Sequence, residues 1–325
     1  MLLFPTFDRR PADLNLRLLS YNVRYFGHSL RGIASTRAGK RGIAACIARL
    51  AEAPHVICLQ EVETISLRSR LVYRRAHEAE TQLESFMGEL ERAFDDEGRP
   101  FTYEAYYFRA HVNHLRGLPL STMGLAVLVD ESKVSVNAHN AEAPEEITHH
   151  HVRRFGDRKQ ARICAHLSLR LRDGRPLHVF NTHLSLPTPF TRAFWSVKDK
   201  MGHGINQLHE ARTLAGFVRR LAGEDPFIVA GDFNSPPTSP VYRFLRHEAG
   251  FVSAQAALGQ IDESAPRGFP TAGFLRLRMH LDHIFAGGGV QFVDLEGTAP
   301  YGDTGSPFCG KSDHMPLIAR LALPG

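Results

Sequence analysis

Six short polar clusters carry the side chains of this 325-residue chain that are best suited to chemistry: Asn22, Gln60-Glu61, Asn181-Thr182-His183, Gly231-Asp232-Phe233-Asn234, Asp282-His283 and Ser312-Asp313-His314. Four carboxylates among them, Glu61, Asp232, Asp282 and Asp313, adjoin strongly apolar runs. That places them at the rim of a core rather than on a solvated face. Carboxylates converging there repel one another and retain protons unless a cation neutralises them. A donor set of carboxylates and amides without thiolate suits a hard ion, Mg²⁺ or Mn²⁺, better than zinc. Each cluster alone has an ordinary reading: Asn22 as a turn former, Glu61 as a solvated strand end, Asp232 and Asn234 as an Asx turn before Pro236-Pro237. Short motifs match by chance, so only the combination points to a catalytic site.

The elements that must position these clusters follow from hydrophobic spacing. Apolar runs predict strands over 16–22, 55–60, 176–182, 227–230, 281–286 and 315–323, with others at 102–109, 124–130 and 161–171. Helical spacing of Ile43, Cys46, Ile47 and Leu50 predicts a helix over 37–52. Leu83, Phe86, Met87, Leu90 and Phe94 predict a second over 76–94, and Leu208, Ala211, Leu214, Ala215, Val218 and Leu221 a third over 205–222. Asp173-Gly174 marks a hairpin turn, and Ser239 before Pro240 has the form of a helix cap and first helical residue. Hairpins mixed with strand-helix-strand units are accommodated by an α/β fold of two mixed β-sheets packed face to face with helices on the outside. No repeat, linker or low-complexity tract divides the chain, so residues 1–325 read as one domain.

Taken in order, Asn22, Leu59-Gln60-Glu61, Asn181-Thr182-His183, Gly231-Asp232-Phe233-Asn234, Leu281-Asp282 and Ser312-Asp313-His314 resemble the signature set of the endonuclease/exonuclease/phosphatase superfamily, which has a deoxyribonuclease-I-like fold. The likeness runs over nearly the whole chain, and six parts in sequence are far more specific than any one. It implies a four-layer α/β sandwich and metal-assisted hydrolysis of a phosphate ester. The superfamily includes deoxyribonucleases, abasic-site endonucleases, poly(A) deadenylases, sphingomyelinases and inositol-phosphate phosphatases. Carried over by position, the resemblance implies that Glu61 binds the metal, that Asn22 helps to hold metal or phosphate, and that Asp313 contributes from the opposite side. Asp232 would orient or deprotonate the attacking water, while Asn234 and His183 donate to non-bridging phosphate oxygens. His314 would pair with Asp282, which fixes the imidazole tautomer and favours its charged form. Asp232 and His314 both remain open as the general base. His283 alternates away from Asp282 along a strand and is read as structural. The run His149-His150-His151 lies in a Pro/Glu-rich loop and is read as solvated.

Composition bounds the rest. With 43% hydrophobic and 22% charged residues the chain is of globular type, and no apolar run approaches the roughly 20 residues that span a bilayer. The start, Met1 to Arg10, lacks the charge-then-apolar order of a secretory signal, giving the expectation of a cytoplasmic protein. Cys46, Cys58, Cys164 and Cys309 show no close pairing and read as free thiols, three of them in apolar patterns. The net charge of +5 is polarised: residues 1–50 carry nine Lys/Arg against two Asp, and residues 51–100 six Arg against eleven Asp/Glu. Arg153 to Arg162, with five basic residues and one acid, offers either a phosphate-tracking edge or a solvated hairpin loop. Leu186 to Trp195 can stack on bases, enter a lipid surface or pack as a lid, and residues 196–206 look mobile enough to let a lid move. Residues 231–242 and the stretch after Ser312 also resemble the cytoplasmic poly(A) deadenylases locally. The expectation is a monomeric, divalent-metal-dependent phosphodiesterase or nuclease acting on DNA or RNA through in-line attack of an activated water. The alternative is a phospholipid or sphingomyelin phosphodiesterase, or an inositol-phosphate-type phosphatase, on the same site. A non-catalytic binding module is disfavoured by the integrity of all six clusters.

Overall fold

The apolar runs become the central strands of two large sheets in the computed structural model, which describes residues 15–27, 36–66, 81–115, 118–148, 161–186, 201–263, 269–274 and 277–324. In chain order the strands are β1 Asn15–Asn22, β2 Val56–Ser66, β3 Tyr103–Leu115, β4 Leu118–Asp130, β5 Val134–His139, β6 Glu145–Glu146, β7 Ile163–Leu171 and β8 Pro176–His183. They continue with β9 Phe227–Asp232, β10 Val252–Ser253, β11 Ala272–Phe274, β12 Leu277–Met279, β13 Asp282–Gly287, β14 Gln291–Asp294 and β15 Leu317–Ala322. The first sheet has the order β14-β15-β1-β2-β4-β3, the second β10-β13-β9-β8-β7-β5 with β6 beside β7, and β11-β12 form a separate ribbon.

The α-helices among the described residues are α1 Arg37–Ala48, α2 Gln82–Asp96, α3 Ile205–Ala222, α4 Pro240–Arg243, which runs on into a π-helical segment at Phe244–Glu248, and α5 Ala254–Ala257. The parallel pairs β1/β2 and β8/β9 flank α1 and α3 respectively, as parallel strands require a crossover. Between the sheets, Leu18, Val56, Cys58 and Val127 meet Leu167, Val179, Ile228 and Ile284. The alternate residues of the first sheet, among them Leu19, Ile57, Leu59 and Leu128, join Ile43, Ile47, Phe86 and Leu90 of α1 and α2. Phe180, Val229 and Phe285 do the same against Leu214 and Val218 of α3. The result is the expected four-layer sandwich. Burial on both faces explains why the central strands read as unbroken apolar runs.

Local chemistry sets the helix ends. The helix expected over 37–52 stops at Ala48, where Arg49 takes the C-cap, and Thr36 caps its start by accepting from Gly39 N. The second begins only at Gln82, because Thr81 and Glu84 form a reciprocal capping box, and runs on to Asp96. Ser239 caps α4 as expected, accepting from Tyr242 N ahead of Pro240. Strands β5 and β14 were not expected. Both are edge strands with exposed alternate residues, so their sequences carry little apolar signal. Cys46, Cys58 and Cys164 are buried, Cys309 is half-buried, and all four are free thiols. Among the described residues no helix is long and apolar enough to cross a membrane.

Candidate active site

Strand register brings the polar clusters to one end of both sheets. Asn22 on β1 lies beside Gln60 on β2, while Asp232 on β9 lies between His183 on β8 and Asp282 on β13. Neighbouring strands are about 4.8 Å apart, so these side chains form one row at the sheet rim. The two rims are tied together by amides. Gln60 Nε2 donates to Asn181 Oδ1 at 2.8 Å, and Asn181 Nδ2 donates to Leu59 O at 3.0 Å and Ala126 O at 3.1 Å. Asn181 therefore joins the sheets.

Three backbone features aim the side chains. Glu61 sits at φ +56°, where the β2/β4 register shifts between Leu59 and Val62, and this irregularity turns its carboxylate inward. Asn234 has φ +49° and closes the expected Asx turn, its N–H donating to Asp232 Oδ1 at 2.9 Å. Gly231, at φ +150°, lets β9 approach β8 so closely that a Cβ would stand 2.0 Å from Thr182 O.

The carboxylates differ in how they are held. Asn22 Nδ2 donates to Glu61 Oε1 at 3.3 Å and to Asp232 Oδ2 at 3.1 Å, a spacer between two acids. Asp232 Oδ2 also lies 3.5 Å from His183 Nε2 and 3.8 Å from His314 Nε2. His314 Nδ1 faces both oxygens of Asp282, at 3.1 and 2.9 Å, as expected for the pair. Thr271 Oγ1 donates to Asp282 Oδ2 at 2.6 Å and fixes that carboxylate from behind. Asn234 Nδ2 donates to Leu184 O at 2.9 Å, so part of its donor capacity is used within the protein. His283 points away from Asp282, bonding Ser235 O at 2.7 Å beside the Tyr242 ring, as its structural reading required.

Asp313 departs from the simple picture of a free metal ligand. Its Oδ2 is in a short ion pair with Arg24, whose own N–H donates to Asn22 Oδ1 at 3.1 Å. Arg24, Tyr25 and Phe26 have φ of +42°, +55° and +54°, a left-handed turn that swings Arg24 back over the site. Phe26 anchors that turn by stacking on Phe86 at 4.7 Å between ring centroids.

Burial dominates the electrostatics. It pushes Glu61 up, opposed by His314 and abetted by Asp313. Burial and then the Asp282 charge push Asp232 up to about 7 against the pull of His314. Burial works against charge on His314, but Asp282 and then Asp232 outweigh it and push the imidazole up to about 10. His183 is held neutral, lowered by burial and by the charges of Arg162 and His314. Atoms of Asp232, Asp282 and His314 lie within 4.8 Å of one another and could hold an ion. That trio, however, already contains a cation in the imidazolium of His314, and a protonated imidazole is no ligand. Glu61 has no such internal cation bonded to it, so the oxygen-rich side of the site, Glu61 with Asn22 and Asp313, fits a hard divalent ion better.

Two residues of the site escaped sequence reasoning, and a third was foreseen only as part of a basic stretch. Thr271 and Arg24 belong to no motif. Arg162 is the final residue of the basic stretch expected either to track phosphate or to be solvated; in the structure it lines a cavity with Glu61 and His183. Residues 149–160, with the His149 run, and 187–200, with most of the aromatic loop, lie outside the described residues. Met201 and Gly202, within the segment expected to be mobile, are buried, and Gly202 N donates to Gln207 Oε1 at 3.2 Å.

With this geometry in place, the family model described as the endonuclease/exonuclease/phosphatase family matches residues 19–314. The chain belongs to that family. Its members hydrolyse phosphate esters, and this chain is a hydrolase of that class. Family enzymes generally use divalent metals. Among solved structures, the human Nocturnin catalytic domain is similar at 18% identity and a TM-score of 0.60, covering 95% of each chain. An endonuclease/exonuclease/phosphatase from Bacteroides vulgatus is similar at 16% identity and a TM-score of 0.62, over 95% of this chain and 99% of that one. The mannosyl-6-phosphatase of Bacteroides thetaiotaomicron is similar at 17% identity and a TM-score of 0.57, over 95% and 100%. At these identities the likeness is one of fold. No curated protein sequence matches the chain.

Proposed function

We propose that the protein is a divalent-metal-dependent phosphodiesterase that cleaves DNA or RNA by in-line attack of water. The observation that carries this reading is the row in which Asp232 stands between neutral His183 and the His314–Asp282 pair, beside the uncompensated carboxylate of Glu61. Glu61, with Asn22 and Asp313, would hold Mg²⁺ or Mn²⁺, and the bound ion would supply Lewis-acid polarisation of a phosphate oxygen and stabilisation of the leaving oxyanion. Asp232 is the base. Its carboxylate, pushed up to about 7, is matched to taking a proton from water near neutral pH. His314, pushed up to about 10, is already protonated and so serves as a fixed cation rather than as a base.

Water oxygen forms the new bond to phosphorus, its proton passes to Asp232, and the bond to the leaving oxygen breaks. His314 and His183 stabilise the charge that builds on the non-bridging oxygens, with Asn234 offering its remaining amide hydrogen. The formal charge of +5 and the basic stretch that ends at Arg162 favour a polyanionic substrate.

A panel of single- and double-stranded DNA, RNA, phospholipid, inositol phosphate and phosphate monoesters, each with Mg²⁺, Mn²⁺ or chelator, tests the reading. Cleavage of nucleic acid that disappears with chelator and falls at least 10³-fold in Glu61→Ala and Asp232→Ala is expected, on the order of what a lost catalytic electrostatic group costs. Full activity in both variants would overturn the site. Hydrolysis confined to lipid or small phosphates would overturn the substrate.

A further inference from the structure

Arg162 is a half-buried cation that no carboxylate among the described residues bonds. Its main chain is clamped: N donates to Thr148 Oγ1 at 2.6 Å, and O accepts from Ile147 N at 2.9 Å. Its side chain is not. Nε is buried with no hydrogen-bond partner, and no described carboxylate forms an ion pair with the guanidinium. Arginine stays charged in a protein, and a buried unpaired charge is costly unless an anion meets it.

Its position says which anion. β7 starts one residue before the Cys164–Thr182 pair, so Arg162 leaves the sheet beside His183 and Leu184. Across the second sheet the order of groups is therefore Asp282 with His314, then Asp232, then His183, then Arg162. Arg162 lines a small, partly open cavity together with Glu61, His183, Gly124 and Leu125. Glu61 across the cavity would hold the metal in the proposed reading, and Glu210, the strongest of the negative charges acting on Arg162, is engaged by the Ser185 N–H at 2.8 Å and hydroxyl at 2.6 Å.

We propose that Arg162 is a substrate-binding residue that grips the non-bridging oxygens of an anionic phosphoryl group on the flank opposite His314. Its planar fork matches two phosphate oxygens at once, which a lysine does not. The attacked phosphate then lies between two fixed cations, one on each side of the Asp232 base. This inference rests on the hydrolase reading of the site and adds the residue that seats the phosphoryl group.

The experiment uses the full chain with Mg²⁺ and inorganic phosphate as the probe, followed by calorimetry. Arg162→Gln is expected to weaken phosphate binding at least 10-fold and raise KM by a similar factor, with Mg²⁺ affinity unchanged and Arg162→Lys intermediate. Running KM on a dinucleotide phosphodiester and on a nucleoside 5′-monophosphate shows whether the gripped group is internal or terminal. Unchanged phosphate affinity in Arg162→Gln overturns the proposal and leaves the hydrolase reading intact. Loss of activity in Glu61→Ala is independent of this result. Should Arg162→Gln fail to fold, the Nε–H resonance of Arg162, assigned by its absence in Arg162→Lys, serves instead. It must shift on phosphate titration of the wild-type protein, and a static signal refutes the contact.

Discussion

Replacing Asp282 by Asn removes the charge that keeps His314 protonated. Asp282 Oδ2 is 2.9 Å from His314 Nδ1, whereas Asp232 Oδ2 is 3.8 Å from Nε2, so Asp282 is the stronger support. Together they push the imidazole from 6.5 up to about 10 against the opposing effect of burial. An opposite charge at such range is worth roughly 1–3 pKa units, which moves His314 in Asp282→Asn down to about 7–9. The sign for stability follows from linkage. A raised histidine pKa stabilises fully below about 6.5, and that contribution is lost as pH rises through the folded value of about 10. Asp232, pushed up to about 7, has largely titrated by about pH 8, so the interval from there to about pH 10 isolates His314. Over that interval the wild-type protein loses roughly 2 kcal/mol on this account. A variant with its pKa near 8 loses under about 0.5 kcal/mol. Ionisation of thiols and phenols in the unfolded chain is common to both proteins and cancels in the difference. Urea titrations of the metal-free protein at several pH values, with an NMR titration of the His314 ring, measure both quantities. A ring pKa within half a unit of wild type, or identical loss of stability, would refute this account of the pair. The alkaline limb of the pH–kcat profile should move down with the ring pKa if the imidazolium serves the reaction.

The other consequences are structural. Asn181→Ala leaves Leu59 O, Ala126 O and the Gln60 amide without their cross-sheet partner and should cost about 2–4 kcal/mol in urea denaturation; a change under about 0.5 kcal/mol would show that the sheets do not depend on this tie. Gly231→Ala places a Cβ 2.0 Å from Thr182 O at φ +150° and should destabilise by more than about 3 kcal/mol or prevent folding, whereas a Tm equal to wild type would mean that β8 and β9 separate freely at the site.

Much of the site was legible because its residues end apolar runs. Asp232, Asp282 and His183 each close or open a buried strand, and a strand buried on both faces has a polar residue at its rim for few reasons besides function or capping. The His314–Asp282 pair was likewise foreseen and stands at 2.9 Å. The edge strands β5 and β14 were not legible, since half-exposed residues dilute the alternation that marks a strand. Thr271 and Arg24 were not legible either. Each acts only by touching a group that another segment supplies, across 11 residues for Thr271 and Asp282 and 289 for Arg24 and Asp313.

By itself the sequence determined the family, the strand and helix segments and the set of acids, amides and imidazoles at the strand ends, because hydrophobic period and residue type are local properties. Tertiary structure alone decided how those groups divide their work. Whether a carboxylate faces an imidazolium, as at Asp282, a guanidinium, as at Asp313, or only an amide, as at Glu61, depends on distances of a few ångströms between distant segments. Arg162 shows the same division: its charge is written in the chain, but its place beside Glu61 and His183, with Nε enclosed and unbonded, exists only once the two sheets have closed.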